Sequence, residues 1–150
     1  VITYTDLEDI PGWTQVFAVA ESEIDDLAAE IRGVAGKTSR IVRGQRTLTR
    51  ERLFQELAAA LQFPHYFGEN WDAVEECLGD LEWMERKLIL VVTNADMLLQ
   101  HHDDDLNVFA SILQTVHDLV DTPLERVLFH CTPATEARTK ERLRAAGLTV

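Results

Sequence analysis

Cysteine, proline, basic residues and long apolar runs are all scarce in this sequence, and each scarcity excludes something. Two cysteines, Cys77 and Cys131, are too few for a disulfide scaffold, and neither lies in a CxxC or Cys/His spacing suited to a metal. Both are expected as buried free thiols. No apolar run approaches the ~20 residues that cross a bilayer, and no basic segment followed by an apolar one opens the chain. These absences lead us to expect a cytoplasmic protein. No GxGxxG and no P-loop occur, so the sequence carries no nucleotide-binding motif. Lys and Arg total 14 against 26 Asp and Glu, a net charge of -12. Such a surface repels nucleic acid and anionic membrane, so neither is an expected partner. It suits a basic partner, or serves solubility alone.

What is present is an ordinary folded composition, 46% apolar and 27% charged over 150 residues, enough for one compact domain with a core. No repeat or low-complexity linker divides it. Short β-like runs alternate with amphipathic helical ones. Trp13–Val19 reads as a strand and Glu21–Val34 as a helix with Ile24, Leu27, Ala28 and Ile31 inward. Arg40–Arg43 reads as a short strand. Thr49 is placed to cap a helix over Arg50–Leu61, whose Leu53, Phe54 and Leu57 form a stripe. A second helix follows from Asn70 to Leu81. Lys87–Thr93 is apolar on both faces, as a central strand of a parallel sheet would be. Asp105–Val120 is expected to be a helix with Val108, Phe109, Ile112, Leu113, Val116 and Leu119 inward. Arg126–His130 is a strand, and Thr132–Ala146 a polar helix stopped by Gly147. The fold class is therefore α/β with parallel strands.

The run FPHYFGENWDAVEECLGDLEW, Phe63 to Trp83, contains no Lys or Arg while holding Glu69, Asp72, Glu75, Glu76, Asp80 and Glu82. At ~100° per residue, Val74, Cys77, Leu78 and Leu81 share one arc of the helix, which makes it the core face. Asp72, Glu75, Glu76 and Gly79 lie opposite, with Trp71 at the border. Like charges three and four residues apart cost roughly a few tenths of a kcal/mol per pair. Asp72 recovers part of this in the first turn, where the helix dipole favours an anion. A solvated acidic face is the plain alternative. Against it stand the missing cations, the adjacent Tyr66 and Phe67, and the gap left by Gly79. Aromatics beside uncompensated carboxylates resemble a surface that receives a cationic partner.

The same residues resemble a known family. Pro64, Tyr66, Gly68, Glu69, Asn70, Asp72, Ala73, Cys77 and Leu78 look like the barstar signature, P-x-Y-[YF]-G-x-N-x-D-A-[LV]-x-[DE]-C-L. The resemblance extends more loosely over residues 39–130, the barstar-like core, with residues 1–38 as an N-terminal extension packed on it. It implies a small, mainly parallel sheet of three core strands packed by helices, with an extra N-terminal strand–helix unit and an extra C-terminal helix. It also implies an inhibitor that occludes the active site of a basic, extracellular-type ribonuclease or related toxin, acting as a monomer, with no catalysis and no cofactor. In that family, carboxylates stand where substrate phosphates would sit. Carried over by position, Tyr66 and Phe67 fall on a contacting aromatic pair and Asp72 on a contacting aspartate. Glu76 falls on the dominant acidic plug, one methylene longer. Glu75 replaces a contacting tryptophan, and Trp71 and Gly79 occupy further contact positions. Asn70 belongs to the same loop. Trp83, Asp118 and Asp121 are additional candidates. The other reading is a regulatory module whose acidic face docks a basic partner that is not a nuclease.

Other groupings carry less. His101, His102 and Asp103–Asp105 are consecutive, so their side chains diverge instead of converging on one ion, and no metal is expected. Asp72 with Glu76 could mimic a glycosidase pair, but a convex helix keeps both ionised. Ser39 and Ser111 lack a nearby His/Asp pattern, and His117 and His130 read as structural or surface residues. No catalytic residue is expected.

Overall fold

The computed structural model describes residues 2–150. Among these the helices are α1 (Tyr4–Glu8), α2 (Ile24–Arg32), α3 (Arg50–Leu61), α4 (Trp71–Asp80), α5 (Asp103–His117) and α6 (Glu136–Ala145). The strands are β1 (Thr14–Ala18), β2 (Lys37–Arg43), β3 (Lys87–Thr93) and β4 (Leu124–Cys131). They form one parallel sheet in the order β1-β4-β3-β2. β3 is apolar on both sides because both sides are covered. Leu88, Leu90 and Val92 join Val42, Val127 and Phe129 beneath α3, α4 and α5. Ile89 and Val91 join Leu128 and Phe17 on the other face, against Tyr4, Leu7, Ile24, Leu27 and Ile31. Each Å² of apolar area removed from water stabilises the fold by about 25 cal/mol, and a sheet apolar on both faces gains this only when a helical layer covers each.

The expected three-strand core is part of a four-stranded sheet. β1 pairs directly with β4, Phe17 opposite His130, so β4 is an interior strand. The N-terminal segment therefore supplies both an edge strand and the helices that cover the second face. α1 was not visible in the sequence, being a single turn and a half capped by Thr3 and Asp6. Beyond the buried Tyr4 and Leu7, polar contacts attach it. Lys37 Nζ meets Glu8 Oε1 at 3.0 Å and Glu125 Oε2 at 2.9 Å, and lies over the Tyr4 ring. Burial would lower the Lys37 pKa, but the two carboxylates outweigh it and push the ammonium above its ordinary range. Tyr4 N–H donates to Glu30, and Gln15 Nε2 donates to Leu7 O at 2.7 Å.

β2 starts at Lys37, earlier than the expected Arg40. Its first residues are polar, and side chains satisfy them: Ser39, 1% exposed, donates its hydroxyl to Ala28 O at 2.8 Å. α5 runs over Asp103–His117 instead of Asp105–Val120. Leu106 and Ala110 are buried, whereas Val108 (39%) and Leu119 (45%) are exposed. The C-terminal helix is shorter than expected and seats Thr139 and Leu143 in the core. Arg142 ties it to the β3–α5 connection by donating to the carbonyls of Asp96, Leu98 and Leu99.

β2 is an edge strand, and its last residue is held by α3. Arg43 meets Glu56 through Nε (2.9 Å) and Nη2 (3.0 Å), and the Arg43 backbone N–H adds a third bond at 3.1 Å. Burial alone would raise the Glu56 pKa, but these three donors reverse that and hold it below its ordinary value of 4.5. A carboxylate with a depressed folded pKa adds stability above its unfolded pKa and loses it as pH falls through the folded one. Wild type is thus expected to lose this contribution only below about pH 4.5. Glu56→Gln should be less stable at neutral pH, and the gap should narrow below that value. Urea titrations across pH 3–7, roughly the range in which carboxylates titrate, test it. A constant gap would show that Glu56 acts by shape alone.

The carboxyl ends of the strands are joined by one hydrogen-bond chain. His130, fully buried, lies between Val19 O, 2.9 Å from Nε2, and the Asn94 N–H, which donates to Nδ1 at 3.0 Å. Because Nδ1 accepts, the ring proton is assigned to Nε2, which donates to the carbonyl. Asn94, in a left-handed conformation (φ 46), then donates its amide to Gln45 Oε1 at 3.3 Å. The histidine expected to be structural or on the surface is a buried structural one.

Candidate partner-binding face

α4 begins because Asn70 caps it. The Asn70 side chain accepts from the Ala73 N–H at 2.8 Å, and its own amide donates to Gly68 O. The loop before it is compact. Gln62 ends α3 in a left-handed conformation, Phe67 N–H donates to Pro64 O at 2.9 Å, and Glu69 is also left-handed (φ 49). On the far side, Trp83 Nε1 donates to Leu61 O at 2.8 Å and so pins the chain leaving α4 to the end of α3. Val74, Cys77, Leu78 and Leu81 are all buried, as the helix wheel requires.

Asp72, Glu75, Glu76 and Asp80 are exposed along the outer side of α4, with Asn70 at its head. None of the four is ion-paired with Lys, Arg or His among the described residues, although carboxylates elsewhere in the chain are. Their field is felt locally. The Tyr66 phenol is pushed up from its ordinary value, first by partial desolvation and then by the charges of Asp80, Glu76 and Glu82. Burial, then Glu76 and Asp80, likewise push the Cys77 thiol up. In both the smaller part comes from carboxylates of this face, whose field raises the local concentration of a cationic partner.

The three aromatics are placed differently. Tyr66 is 63% exposed and stands clear of the core. Phe67 and Trp71 are half-buried, packed edge-on against Phe54 at 6.4 and 4.9 Å between centroids. Trp71 also stacks near Phe109 at 6.2 Å, so it anchors α4 to α5 while keeping part of its ring outward. Phe67 contacts Phe63 at 5.0 Å. Trp83 is half-exposed and edge-on to Phe63.

Two grooves separate α4 from α5. One, of about 440 Å³, is lined by Asp72, Glu75, Glu76, Gly79, Asp80, Thr115, Val116 and Leu119. The other, of about 410 Å³, is lined by Trp71, Asp72, Glu75, Asn107, Val108, Ser111 and Ile112. Asp72 and Glu75 belong to both. Gly79 lets the turn that follows α5 lie close to α4, since a Cβ there would be 3.1 Å from Leu119 Cδ1. Asp118 and Asp121 are exposed in the turn that ends α5, Asp118 accepting from Gln114 Nε2 and Asp121 in a left-handed conformation (φ 58). The apolar side of the face was missed in the sequence. Val108 and Leu119 satisfied the helical period of α5 and were assigned inward. Their signal was their place at one edge of that stripe, about 80–100° from Phe109, which turns them toward α4.

The remaining groupings are spoken for. Asp103 meets Arg142 Nη2 at 3.4 Å, Asp105 lies 3.8 Å from Arg50, and His117 stacks on Trp13 at 4.2 Å.

A parallel α/β protein presenting one acidic, aromatic-edged helix face is the class that this fold and site define. The family follows from comparison with known proteins: the family described as Barstar (barnase inhibitor) matches residues 38–132, well over half of the chain, and the chain belongs to it. The match runs from β2 to the end of β4 and leaves β1, α1, α2 and α6 outside. No curated protein matches the chain. Membership makes it a barnase-inhibitor-like protein binder, with a ribonuclease as the partner class.

Proposed function

We propose that this protein inhibits a basic ribonuclease by laying the loop before α4 and the outer side of α4 into its active site, its carboxylates replacing substrate phosphates. The observation that carries this is the strip Asp72, Glu75, Glu76 and Asp80, exposed and unpaired within the chain among the described residues. A nuclease holds phosphates with Arg, Lys and His, and a carboxylate forms charge-assisted bonds to the same groups. Tyr66, with the outward edges of Phe67 and Trp71, packs around those bonds, and Gly79 and the α5 flank receive what lies beside them. In this reading residues 39–130 are the inhibitory core and residues 1–38 an extension packed on it within one domain. The protein acts as a monomer in the cytoplasm, against an extracellular-type enzyme or related toxin.

The experiment is inhibition of a basic microbial ribonuclease, and of any ribonuclease encoded beside this protein, by the purified chain. Loss of activity at near-stoichiometric amounts, weakened by added salt, is expected. If neither enzyme is inhibited while the same α4 face captures a different basic protein, the ribonuclease assignment fails and the docking-module reading takes its place.

A further inference from the structure

Five of the eleven arginines of this acidic chain, Arg40, Arg43, Arg46, Arg50 and Arg52, fall within a single short stretch spanning the end of β2 and the start of α3. Three of them are occupied. Arg43 is bound to Glu56, Arg40 donates to Ser39 O and Thr38 Oγ1, and Arg50 meets Glu51. The guanidinium groups of Arg46 and Arg52 have no ion pair or hydrogen bond among the described residues. Yet both line one open, polar groove of about 660 Å³ together with Gln45, Gln55 and Glu56. The one carboxylate in that lining is already matched by Arg43 at 2.9 Å, which leaves the groove with unmatched positive charge.

The turn beneath it is rigid. Gly44 packs so tightly on the Thr93 and Asn94 carbonyls that a Cβ has no room there. Thr47, fully buried, accepts from Leu99 N–H at 2.7 Å, and Asn94 holds Gln45 through its amide. A groove built on such a turn has its backbone floor in place before any ligand arrives, which lowers part of the ordering cost of binding, while the exposed Arg46, Arg52 and Gln55 side chains are ordered by the ligand. It also lies at the carboxyl ends of β2 and β3, the edge where open parallel sheets receive ligands. Guanidinium forks match phosphate oxygens two at a time, and side-chain amides complete the shell.

We propose that Arg46 and Arg52, with Gln45 and Gln55, form a binding site for a small phosphate-bearing molecule, separate from the α4 face. A small ligand is favoured over a polyanion because the net charge of -12 repels an extended one.

The test is a titration of the full chain, followed by nuclear magnetic resonance, with inorganic pyrophosphate and with adenosine monophosphate in separate arms. Saturable shifts at Gln45, Arg46, Arg52 and Gln55, with α4 unmoved, are expected in at least one arm. Tighter pyrophosphate assigns the phosphate alone, and tighter nucleotide adds a nucleoside contact. Arg46→Gln or Arg52→Gln should weaken binding about tenfold or more. Arg86→Gln, which removes another arginine without a bonded partner among the described residues, should leave it unchanged. The proposal is overturned if neither ligand saturates. It is equally overturned if sodium chloride at matched ionic strength reproduces the shifts, or if Arg86→Gln weakens binding as much as Arg46→Gln.

Discussion

Glu76→Ala and Asp72→Ala should each weaken binding of the target ribonuclease by about 2–5 kcal/mol, roughly 30-fold to several thousand-fold, mostly through faster dissociation. Both side chains are exposed in the free protein and neither is ion-paired there among the described residues. Removing either therefore breaks nothing inside the fold, and the urea midpoint should stay within about 0.5 kcal/mol of wild type. Removing Glu76 relieves like-charge repulsion on α4 and slightly favours the helix, whereas removing Asp72 also loses a favourable contact with the helix dipole in the first turn, so its two small effects oppose each other. In the complex the loss is large because the nuclease cation left behind is desolvated and unmatched. The pair is close on one helix side, so the double variant should deviate from additivity. Inhibition constants and dissociation rates for the three variants, at low and moderate salt, give the answer. Unchanged inhibition in both single variants would remove these carboxylates from the site even if the protein still inhibits a nuclease.

Gly44→Ala should destabilise the fold by about 3–5 kcal/mol, a large share of the total stability of a domain this size. The cause is not backbone conformation. An added Cβ would meet the carbonyl oxygens of both Thr93 and Asn94 at 2.2 Å. Those atoms are main chain at the end of an interior strand, so they cannot swing away as a side chain would. Relief requires the β2–α3 turn to lift off β3, which breaks the Leu99 N–H to Thr47 O bond and the Asn94 to Gln45 contact. The urea midpoint, or the soluble yield if the variant does not fold, reads this out. A midpoint equal to wild type would mean that the turn has slack and that the floor of the neighbouring arginine groove is not rigid.

Two elements match their sequence-based bounds to the residue, α3 at Arg50–Leu61 and β3 at Lys87–Thr93. In both, local chemistry decides the ends. Thr49 accepts from Arg52 N–H to start α3, and β3 is a continuous apolar run between polar flanks. β2 was displaced because its start depends on a distant partner, the Ser39 hydroxyl donating to Ala28 O, and α5 ends at His117, so that Leu119 lies in the turn beyond it beside Gly79. α1 has too few residues to show a period, and Lys37, far along the chain, helps to hold it.

The sequence by itself determined the acidic strip of α4, its cap at Asn70 and its buried stripe. A helix of known period fixes which side chains share a face, and the missing lysines and arginines are a matter of composition. The family was likewise carried by residues close together in the chain. Only the tertiary structure decided where residues 2–38 go, since pairing β1 with β4 and covering the second face of the sheet depend on contacts far apart in sequence. It also decided that Phe67 and Trp71 pack partly inward while Tyr66 does not, and that Val108 and Leu119 line the acidic grooves. Period gives the direction of a side chain from its own helix. What that direction meets is set by the neighbouring element.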